Sequence, residues 1–236
     1  MRDIYLRTSL LVGDKGTRAL EKASVLVVGA GGVGSYTIEA LSRAGIGRIG
    51  ICDADTVSPT NLNRQLYALN STLGKKKVEV AKMRILDINP YAVVDEYPFF
   101  YDDTTQDKIP LAEYDYIVDA IDTMDSKINL IVRANNLGVK IISALSAGNK
   151  LNPYMFEAAD IYSTSVCPIA KILRKRLREE NVLSHKVIYS KEPSKKIRDA
   201  EIFDGGKSNV GSISYVPSVM GLLLAGEVIA DIIERE

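Results

Sequence analysis

Short runs of β-branched apolar residues alternate with helical patterns through the first two-thirds of the chain. Ser24–Val28 is apolar and is followed by glycine, which is typical of a buried strand. Apolar residues then recur at helical spacing over 33–44, and Gly45 marks the end of that helix. Further strands are predicted at 48–53, 93–94, 116–118 and 139–142, and further helices at 76–88 and 127–136. This alternation predicts an α/β fold with a doubly wound, mostly parallel sheet.

The last third of the chain has a different pattern. Residues 168–180 predict a basic amphipathic helix whose apolar side is formed by Ile169, Ile172, Leu173 and Leu177. A short strand is predicted at 186–190, a polar and mobile loop at 192–208, and an apolar helix at 217–233.

Composition places the chain among globular proteins. Of its 236 residues, 46% are hydrophobic and 25% are charged, which excludes disordered and fibrous classes. The two cysteines, Cys52 and Cys167, cannot form a disulfide framework or a four-cysteine zinc site, and they favour a reducing compartment. No signal peptide is apparent, and the late apolar stretch 216–233 is interrupted by two acids and predicted too short to span a bilayer. We therefore expect a cytoplasmic protein without membrane association.

The balanced charge conceals a local excess of basic residues. The whole chain has 30 Lys and Arg and 30 Asp and Glu, so nothing global indicates a nucleic-acid partner. Residues 171–200 nevertheless contain ten basic and four acidic residues, a local charge of +6. Such a region can bind phosphates. A solvated helix face followed by a charged loop explains it equally well.

A glycine-rich turn follows the first predicted strand and opens the first helix. Its glycines are Gly29, Gly31, Gly32 and Gly34. Glycines let the backbone approach a phosphate closely, and the free amides at the helix start attract its negative charge. Asp53 ends the second strand, where a carboxylate can hold ribose hydroxyls. The turn predicts nucleotide binding in a Rossmann-like sheet; alone it also fits a nicotinamide-dependent dehydrogenase or a turn that binds nothing.

The segment after Asp53 favours a triphosphate. It contains Asp55, Asn61 and Arg64, and three consecutive lysines ending at Lys77 crowd the start of the next helix. The helix dipole disfavours cations there, so an anion bound among them would explain their position. Arg64 and Lys77 can supply the additional positive charge that a triphosphate needs. A solubilising loop is the alternative.

Three aspartates follow the predicted strand 116–118, at the edge of an open sheet where ligands bind. Clustered carboxylates repel one another unless a cation or a helix start offsets their charge. Asp125 is predicted to cap the next helix. Asp122 is the better candidate for holding Mg²⁺ on the phosphates.

Together these motifs resemble the ubiquitin-activating-enzyme-like adenylyltransferase superfamily over nearly the whole chain. The resemblance implies that Asn61 and Arg64 contact ATP, that Lys77 contacts its phosphates, and that Asp122 helps to bind Mg²⁺. Arg64, Lys77 and Asp122 are therefore the expected catalytic set. Arg7 resembles an amino-terminal arginine that reaches into the ATP site of a dimer partner, which implies a homodimer.

Two features indicate the branch of the superfamily. Members that charge ubiquitin-like sulfur carriers usually have paired C-x-x-C zinc ligands, which are absent here. The segments 146–153, 164–168 and 211–217 instead resemble the tRNA threonylcarbamoyladenosine dehydratases. That branch uses ATP to adenylate the threonylcarbamoyl carboxylate of tRNA and closes it to a cyclic form, and a sulfur-transfer protein is a further candidate partner. The alternatives are an adenylyltransferase for a sulfur-carrier protein and a nucleotide-binding module without catalytic activity.

The sequence patterns and the resemblance also predict the domain organisation of the chain. We expect one domain over 1–236, with an amino-terminal helical arm (1–23), a nucleotide-binding core (24–150) and a helical and looped carboxyl-terminal extension (151–236). Cys167 is either a nucleophile or sulfur acceptor or, more simply, a packed or exposed thiol, while Cys52 is predicted to lie in the core. His185 has no recognisable partner in the sequence and is predicted to be structural or solvated.

Overall fold

A seven-stranded sheet forms the centre of the molecule. The computed structural model describes residues 3–195 and 210–234. In that part of the chain the strand order is β3-β2-β1-β4-β5-β7-β6, and only the edge strand β6 runs antiparallel to its neighbour. The strands are β1 Ser24–Val28, β2 Arg48–Cys52, β3 Val93–Tyr97, β4 Tyr116–Asp119, β5 Lys140–Ala144, β6 Phe156–Asp160 and β7 Lys186–Ser190. The predicted doubly wound, mostly parallel α/β sheet is confirmed.

Helices cover both faces of the sheet. They are α1 Leu6–Lys22, α2 Gly34–Ala44, α3 Lys77–Ile88, α4 Met124–Asn136, α5 Pro168–Glu179 and α6 Tyr215–Ile233. The first three and α6 share one apolar core, whereas α4 and α5 pack in clusters with the opposite side chains of the strands. In β1, Val25 and Val27 face the first core while Leu26 and Val28 face the other side. Burial on both faces explains why this strand is a continuous apolar run.

The strand order reverses between β1 and β4. These two strands are parallel neighbours, with Val28 beside Asp119 at their carboxyl ends. From there the chain leaves β1 toward α2 and β4 toward α4, which lie on opposite faces of the sheet. The two connections diverge and leave a crevice between them, the place where open α/β sheets bind ligands.

The carboxyl-terminal extension contributes more to the sheet than predicted. Strand β6 was not predicted, because its sequence (FEAAD) contains two acids and lacks β-branched residues. It pairs only with β7 at the sheet edge, where polar side chains remain accessible. The apolar side of α5 also differs from the prediction, since Ile172 is 51% exposed and the buried residues are Ala170, Leu173 and Leu177.

Helix α6 is an apolar helix that packs against α1 and α2. Its 19 residues and a mean hydropathy of 1.8 satisfy the length and composition of a membrane span, so the prediction that this stretch is too short was wrong. Its packing gives another reason for that composition. The Thr37 hydroxyl donates to the Gly221 carbonyl at 3.0 Å, and a Cβ on Gly221 would lie 2.3 Å from the Val33 carbonyl oxygen. The helix therefore lies directly on the backbone of α2.

Candidate active site

A cleft of about 520 Å³ opens at the carboxyl ends of the central strands. It brings together nine of the eleven site residues predicted from the sequence, namely Gly29, Gly31, Gly32, Asp53, Asp55, Asn61, Arg64, Lys77 and Asp122. Gly34 and Arg7 are not among the described residues that line it. The fold thus gathers into one cavity side chains that lie far apart in the sequence.

The glycine loop packs closely against the end of β4. Gly29 has a φ of 96°, and a Cβ there would lie 2.6 Å from the Ala120 carbonyl oxygen. A Cβ on Gly34 would lie 1.7 Å from the Gly29 carbonyl oxygen. These two glycines are therefore needed for backbone geometry. Gly31 and Gly32 line the cleft, whereas Gly34 is not among the described residues that line it. That Gly34 binds the cofactor stays a prediction.

Asp53 connects the glycine loop to the end of β2. One carboxylate oxygen accepts the Ala30 amide at 2.7 Å, and the other accepts the Asp55 amide at 2.8 Å. Burial raises the pKa of the Asp53 carboxyl, against the opposing effect of the Lys77 ammonium. Sequence reasoning predicted ribose binding for this residue and missed its anchoring function. Each carboxylate oxygen can accept a further hydrogen bond, so both functions are compatible.

Lys77 is buried at the first position of α3. Its ammonium lies 2.7 Å from an Asp55 carboxylate oxygen and 3.9 Å from an Asp53 carboxylate oxygen. The Lys77 amide also donates to the Asp55 carbonyl at 3.0 Å, which fixes the start of the helix. The arrangement holds a cation at a helix amino terminus, where acids rather than bases are stabilised, by surrounding it with carboxylates.

Asn61 and Arg64 lie on the loop that closes one side of the cleft. The Asn61 side-chain oxygen accepts the Ser58 amide at 3.1 Å. One terminal nitrogen of Arg64 donates to the Thr60 carbonyl and to the Asn63 side chain, each at 2.9 Å. A guanidinium has five N–H donors, so these two bonds leave others for an anion in the cleft.

The three aspartates at and after the end of β4 lie in different environments. Asp119 is fully buried, accepts the Lys127 ammonium at 2.7 Å, and does not line the cleft. Asp122 is exposed and lines the cleft. The N-cap position of α4 is Thr123, whose side chain makes no capping hydrogen bond, and Asp125 lies inside the helix. The prediction that Asp125 is the cap was therefore wrong. Sequence reasoning missed Lys127, whose position in a helical pattern gave no indication that it reaches the cleft.

Both cysteines are free and buried. Cys52 is buried at the end of β2, and burial raises the pKa of its thiol to about 12. Cys167 is buried at the start of α5 and is not among the described residues that line the cleft. His185 does have a partner, because its Nε2 lies 2.8 Å from the Ser143 hydroxyl oxygen. Burial lowers the pKa of His185 to about 3 and keeps the ring neutral.

Two predicted contact regions lie outside the cleft. Arg7 is exposed on α1. The basic span 171–200 is described only to Lys195, so Lys196 and Arg198 lie outside the described residues. On α5, Arg174 donates to the Thr164 carbonyl at 2.9 Å, and Arg178 lies 5.1 Å from the centre of the Tyr162 ring. Lys171 and Lys175 are exposed on the same side of the helix.

Both the sequence and the fold are similar to those of known proteins. The ThiF family model matches residues 5–236. The chain is 39% identical over 240 residues to the tRNA threonylcarbamoyladenosine dehydratase of Bacillus subtilis, which covers 98% of this chain and 94% of that protein. Its fold is similar to that of the Escherichia coli tRNA N6-threonylcarbamoyladenosine dehydratase in complex with ATP, with a TM-score of 0.88 and 29% identity over 99% of this chain and 95% of that one.

The chain is also similar, over part of its length, to an adenylyltransferase for a sulfur-carrier protein. The chain is 38% identical over 127 residues to the sulfur carrier protein adenylyltransferase of Thermus thermophilus. This match covers 53% of this chain and 46% of that protein. The similarity to this relative is therefore partial in both chains, whereas the similarity to the dehydratases extends from end to end.

Proposed function

The chain belongs to the ThiF family, and we propose that it is an ATP-dependent dehydratase that adenylates the carboxylate of threonylcarbamoyladenosine in tRNA and closes it to the cyclic form. One observation carries this proposal: the match to the Bacillus subtilis dehydratase covers 98% of this chain, including the carboxyl-terminal third. That third contains the segments whose sequence resembles the dehydratase branch. The cleft supplies the nucleotide-binding geometry that the activity needs.

The reaction proceeds in two steps. A carboxylate oxygen of the substrate attacks the α-phosphorus of ATP, the bond to the β-phosphate oxygen breaks, and pyrophosphate leaves. The carbamoyl nitrogen then attacks the activated carbonyl carbon, loses its proton, and expels AMP as the ring closes. The steps need no nucleophile from the protein, which agrees with the buried state of both cysteines. Catalysis consists of holding the reacting groups together and offsetting negative charge.

Different residues of the cleft bind different parts of ATP. The amides of the glycine loop at the start of α2 face the phosphates, as at other helix amino termini. Arg64 and Lys77 offset phosphate charge from the β2 side of the cleft. Asp53 and Asn61 hold the nucleoside, and Asp55 pairs with Lys77 at the cleft mouth.

Magnesium is part of the proposal through Asp122. Protein sites for Mg²⁺ commonly use one or two carboxylates together with substrate phosphates and water. Asp122 fits this pattern, because its exposed carboxylate lines the cleft and its one described side-chain hydrogen bond is a long contact of 3.5 Å with Thr123. When bound, Mg²⁺ would neutralise charge on the leaving pyrophosphate.

A homodimer is proposed because the arm and α6 expose large apolar side chains. On α1, Leu10 is 81% exposed and Leu11 is 88% exposed, and on α6 Leu222 is 50% exposed. Contiguous exposed apolar residues commonly mark a protein interface. Arg7 lies on the same helix, so a second copy seated there would bring it near the partner molecule.

For the tRNA, we propose that α5 provides part of the docking surface. Lys171, Arg174, Lys175 and Arg178 lie along one face of the helix. Ile169, in its first turn, lines the cleft. A phosphate backbone bound along α5 would therefore extend away from the reacting group. A sulfur-transfer partner and a cytoplasmic location remain predictions from the sequence.

The test is ATP–pyrophosphate exchange with each candidate substrate. The proposal expects exchange, AMP formation and a mass loss of one water from the tRNA nucleoside when threonylcarbamoyl-modified tRNA is present. Unmodified tRNA is the matched control and should give none of these. Exchange with a ubiquitin-like sulfur-carrier protein but not with tRNA would establish the other activity. ATP binding without exchange on either substrate would indicate a non-catalytic module.

A further inference from the structure

The cations that line the cleft are distributed over its two sides. Among the described residues they are Arg64, Lys77 and Lys127. Arg64 and Lys77 lie on the side formed by the glycine loop and the segment after β2. Lys127 comes from α4 and lies on the other side, together with the segment 144–148 that follows β5. The first side holds the triphosphate under the proposed function, which leaves Lys127 as the cation of the second side.

The Lys127 ammonium is fixed by two acceptors. It donates to an Asp119 carboxylate oxygen at 2.7 Å and to the Ala144 carbonyl at 3.0 Å. Its side chain is 4% exposed, although the residue lines the cleft. An ammonium group has three N–H donors, so the two described bonds leave a third. An ammonium held in this way is a directed donor with a full positive charge.

A chain of buried hydrogen bonds fixes the position of the Asp119 carboxylate that holds the Lys127 ammonium. An ionised carboxylate only accepts, so the Ser143 hydroxyl donates to Asp119 across 2.6 Å. That hydroxyl has one hydrogen, so the Nε2 of His185, at 2.8 Å, must be the donor to Ser143. Asp119, Ser143 and His185 are buried and lie on or next to β4, β5 and β7. The neighbouring central strands thus hold one lysine in place.

We propose that Lys127 binds the carboxylate of the substrate and holds it against the α-phosphate, with Asp119, Ser143 and His185 as positioning residues. The inference rests on the proposed function, which requires a carboxylate to approach a triphosphate. Two anions repel at that distance unless a cation lies between or beside them. Lys127 offers a charge-assisted hydrogen bond at the side of the cleft away from Arg64 and Lys77.

The test compares two variants that differ only in this cation. Lys127→Gln alone would leave the buried Asp119 carboxylate unpaired, so both variants carry Asp119→Asn. Asp119→Asn keeps the Lys127 ammonium, and Asp119→Asn/Lys127→Gln removes it. The dissociation constant of ATP is measured by calorimetry, and the KM is measured both for modified tRNA and for the free modified nucleoside.

We expect the ATP dissociation constants of the two variants to agree within about twofold and the KM of the double variant to be at least about tenfold higher for both substrates. The free nucleoside matters because it lacks the phosphates that contact α5. Asp119→Asn/Lys127→Arg, which retains a cation, should keep more activity than Asp119→Asn/Lys127→Gln. If the double variant does not fold, Lys127→Met in the same background replaces it.

Three results would overturn the inference. Equal KM values in the two variants would make the Asp119–Lys127 pair purely structural. A loss of ATP binding as large as the loss in KM would assign Lys127 to the nucleotide. If the parent protein shows no ATP-dependent turnover with modified tRNA, the proposed function fails as well, whereas the first two results leave it intact.

Discussion

The ammonium of Lys77 lies 2.7 Å from the carboxylate of Asp55, although the Lys77 side chain is 5% exposed and that of Asp55 is 70% exposed. The pair thus joins a buried cation to a carboxylate that remains in water. An exposed carboxylate gains little from such a pair, so a phosphate group can displace it at small cost. Under the proposed function, Asp55 serves as a temporary partner for the cation until the triphosphate binds.

Replacing Lys77 by alanine should weaken ATP binding by about one to several kcal/mol, because a charge-assisted contact to phosphate is lost. Arg64→Ala should act in the same direction. Lys82→Ala is the control, since Lys82 lies on the same helix but pairs with Glu96 outside the cleft. Calorimetric titration with ATP measures the effect. Tight NADH binding without ATP binding would contradict this assignment of the nucleotide.

Arg7→Ala and Asp122→Ala should each abolish most activity, because the first removes the group proposed to be donated across a homodimer and the second removes the proposed magnesium ligand. Mixing the two variants should restore part of the activity, since one site of each heterodimer keeps both groups. The measurement is AMP formation as a function of mixing ratio. A fully active monomer in light scattering would disprove the shared site.

The basic face of α5 should contribute to tRNA affinity and to its salt dependence. Lys171→Gln/Lys175→Gln is the preferred variant, because both side chains are exposed, whereas Arg174 is bonded to Thr164. The expected result is a higher KM for tRNA and a shallower salt dependence, with ATP binding unchanged. Lys22→Gln/Lys108→Gln is the matched control for lost surface charge. Identical salt curves for parent and variant would show that this face is only solvated.

Gly34→Ala should destabilise the fold by about 3 kcal/mol, because its Cβ would lie 1.7 Å from a backbone oxygen that cannot move freely. Gly31→Ala is the matched control, since the nearest atom to its Cβ would be 3.8 Å away. We expect it to change the free energy of unfolding by less than about 1 kcal/mol. Urea unfolding compares the two. Equal stability of the two variants would refute the packing function of Gly34.

The buried His185 should make stability depend on pH. Its pKa falls from 6.5 to about 3 on folding, so between these values the unfolded state binds one more proton. The free energy of unfolding should therefore decrease as the pH falls through this window, by up to about 1.4 kcal/mol per pH unit. His185→Gln keeps a donor for Ser143 but cannot titrate. Its urea-unfolding curves from pH 7 to pH 4 should have a smaller slope; parallel slopes would exclude His185 as the source.

The elements that sequence patterns predicted correctly are those with strong local signals. Strand β1 is apolar on both faces, and the helix after it is terminated by Gly45 in a left-handed conformation. Strand β6 lacked such a signal, because it is stabilised by pairing with β7 rather than by its own residues. The exposed position of Ile172 depends on which neighbours cover α5, and a helical pattern alone does not contain that information.

The candidate site shows the same division. The glycine turn, Asp53 and the lysines before α3 were recognisable because each lies at a fixed place relative to a strand or helix. Lys127 and His185 were not, since only the folded structure shows that Lys127 bonds to Asp119 at the end of β4 and that His185 bonds to Ser143 on β5. Gly34 was predicted to bind the cofactor together with its neighbours, and its close contact with the Gly29 carbonyl could not be predicted from the glycine pattern.

Helix α6 extends from the cleft, at the carboxyl ends of the central strands, to the amino ends of β4 and β7. Pro217 near its start lines the cleft, and Asp231 near its end accepts hydrogen bonds from Tyr116 and Lys186 at the opposite edge of the sheet. The ribosome makes this helix after every strand of the sheet. A growing chain therefore has its glycine turn long before it has the wall that completes the cleft, so ATP binding should begin only after α6 has been synthesised and has docked.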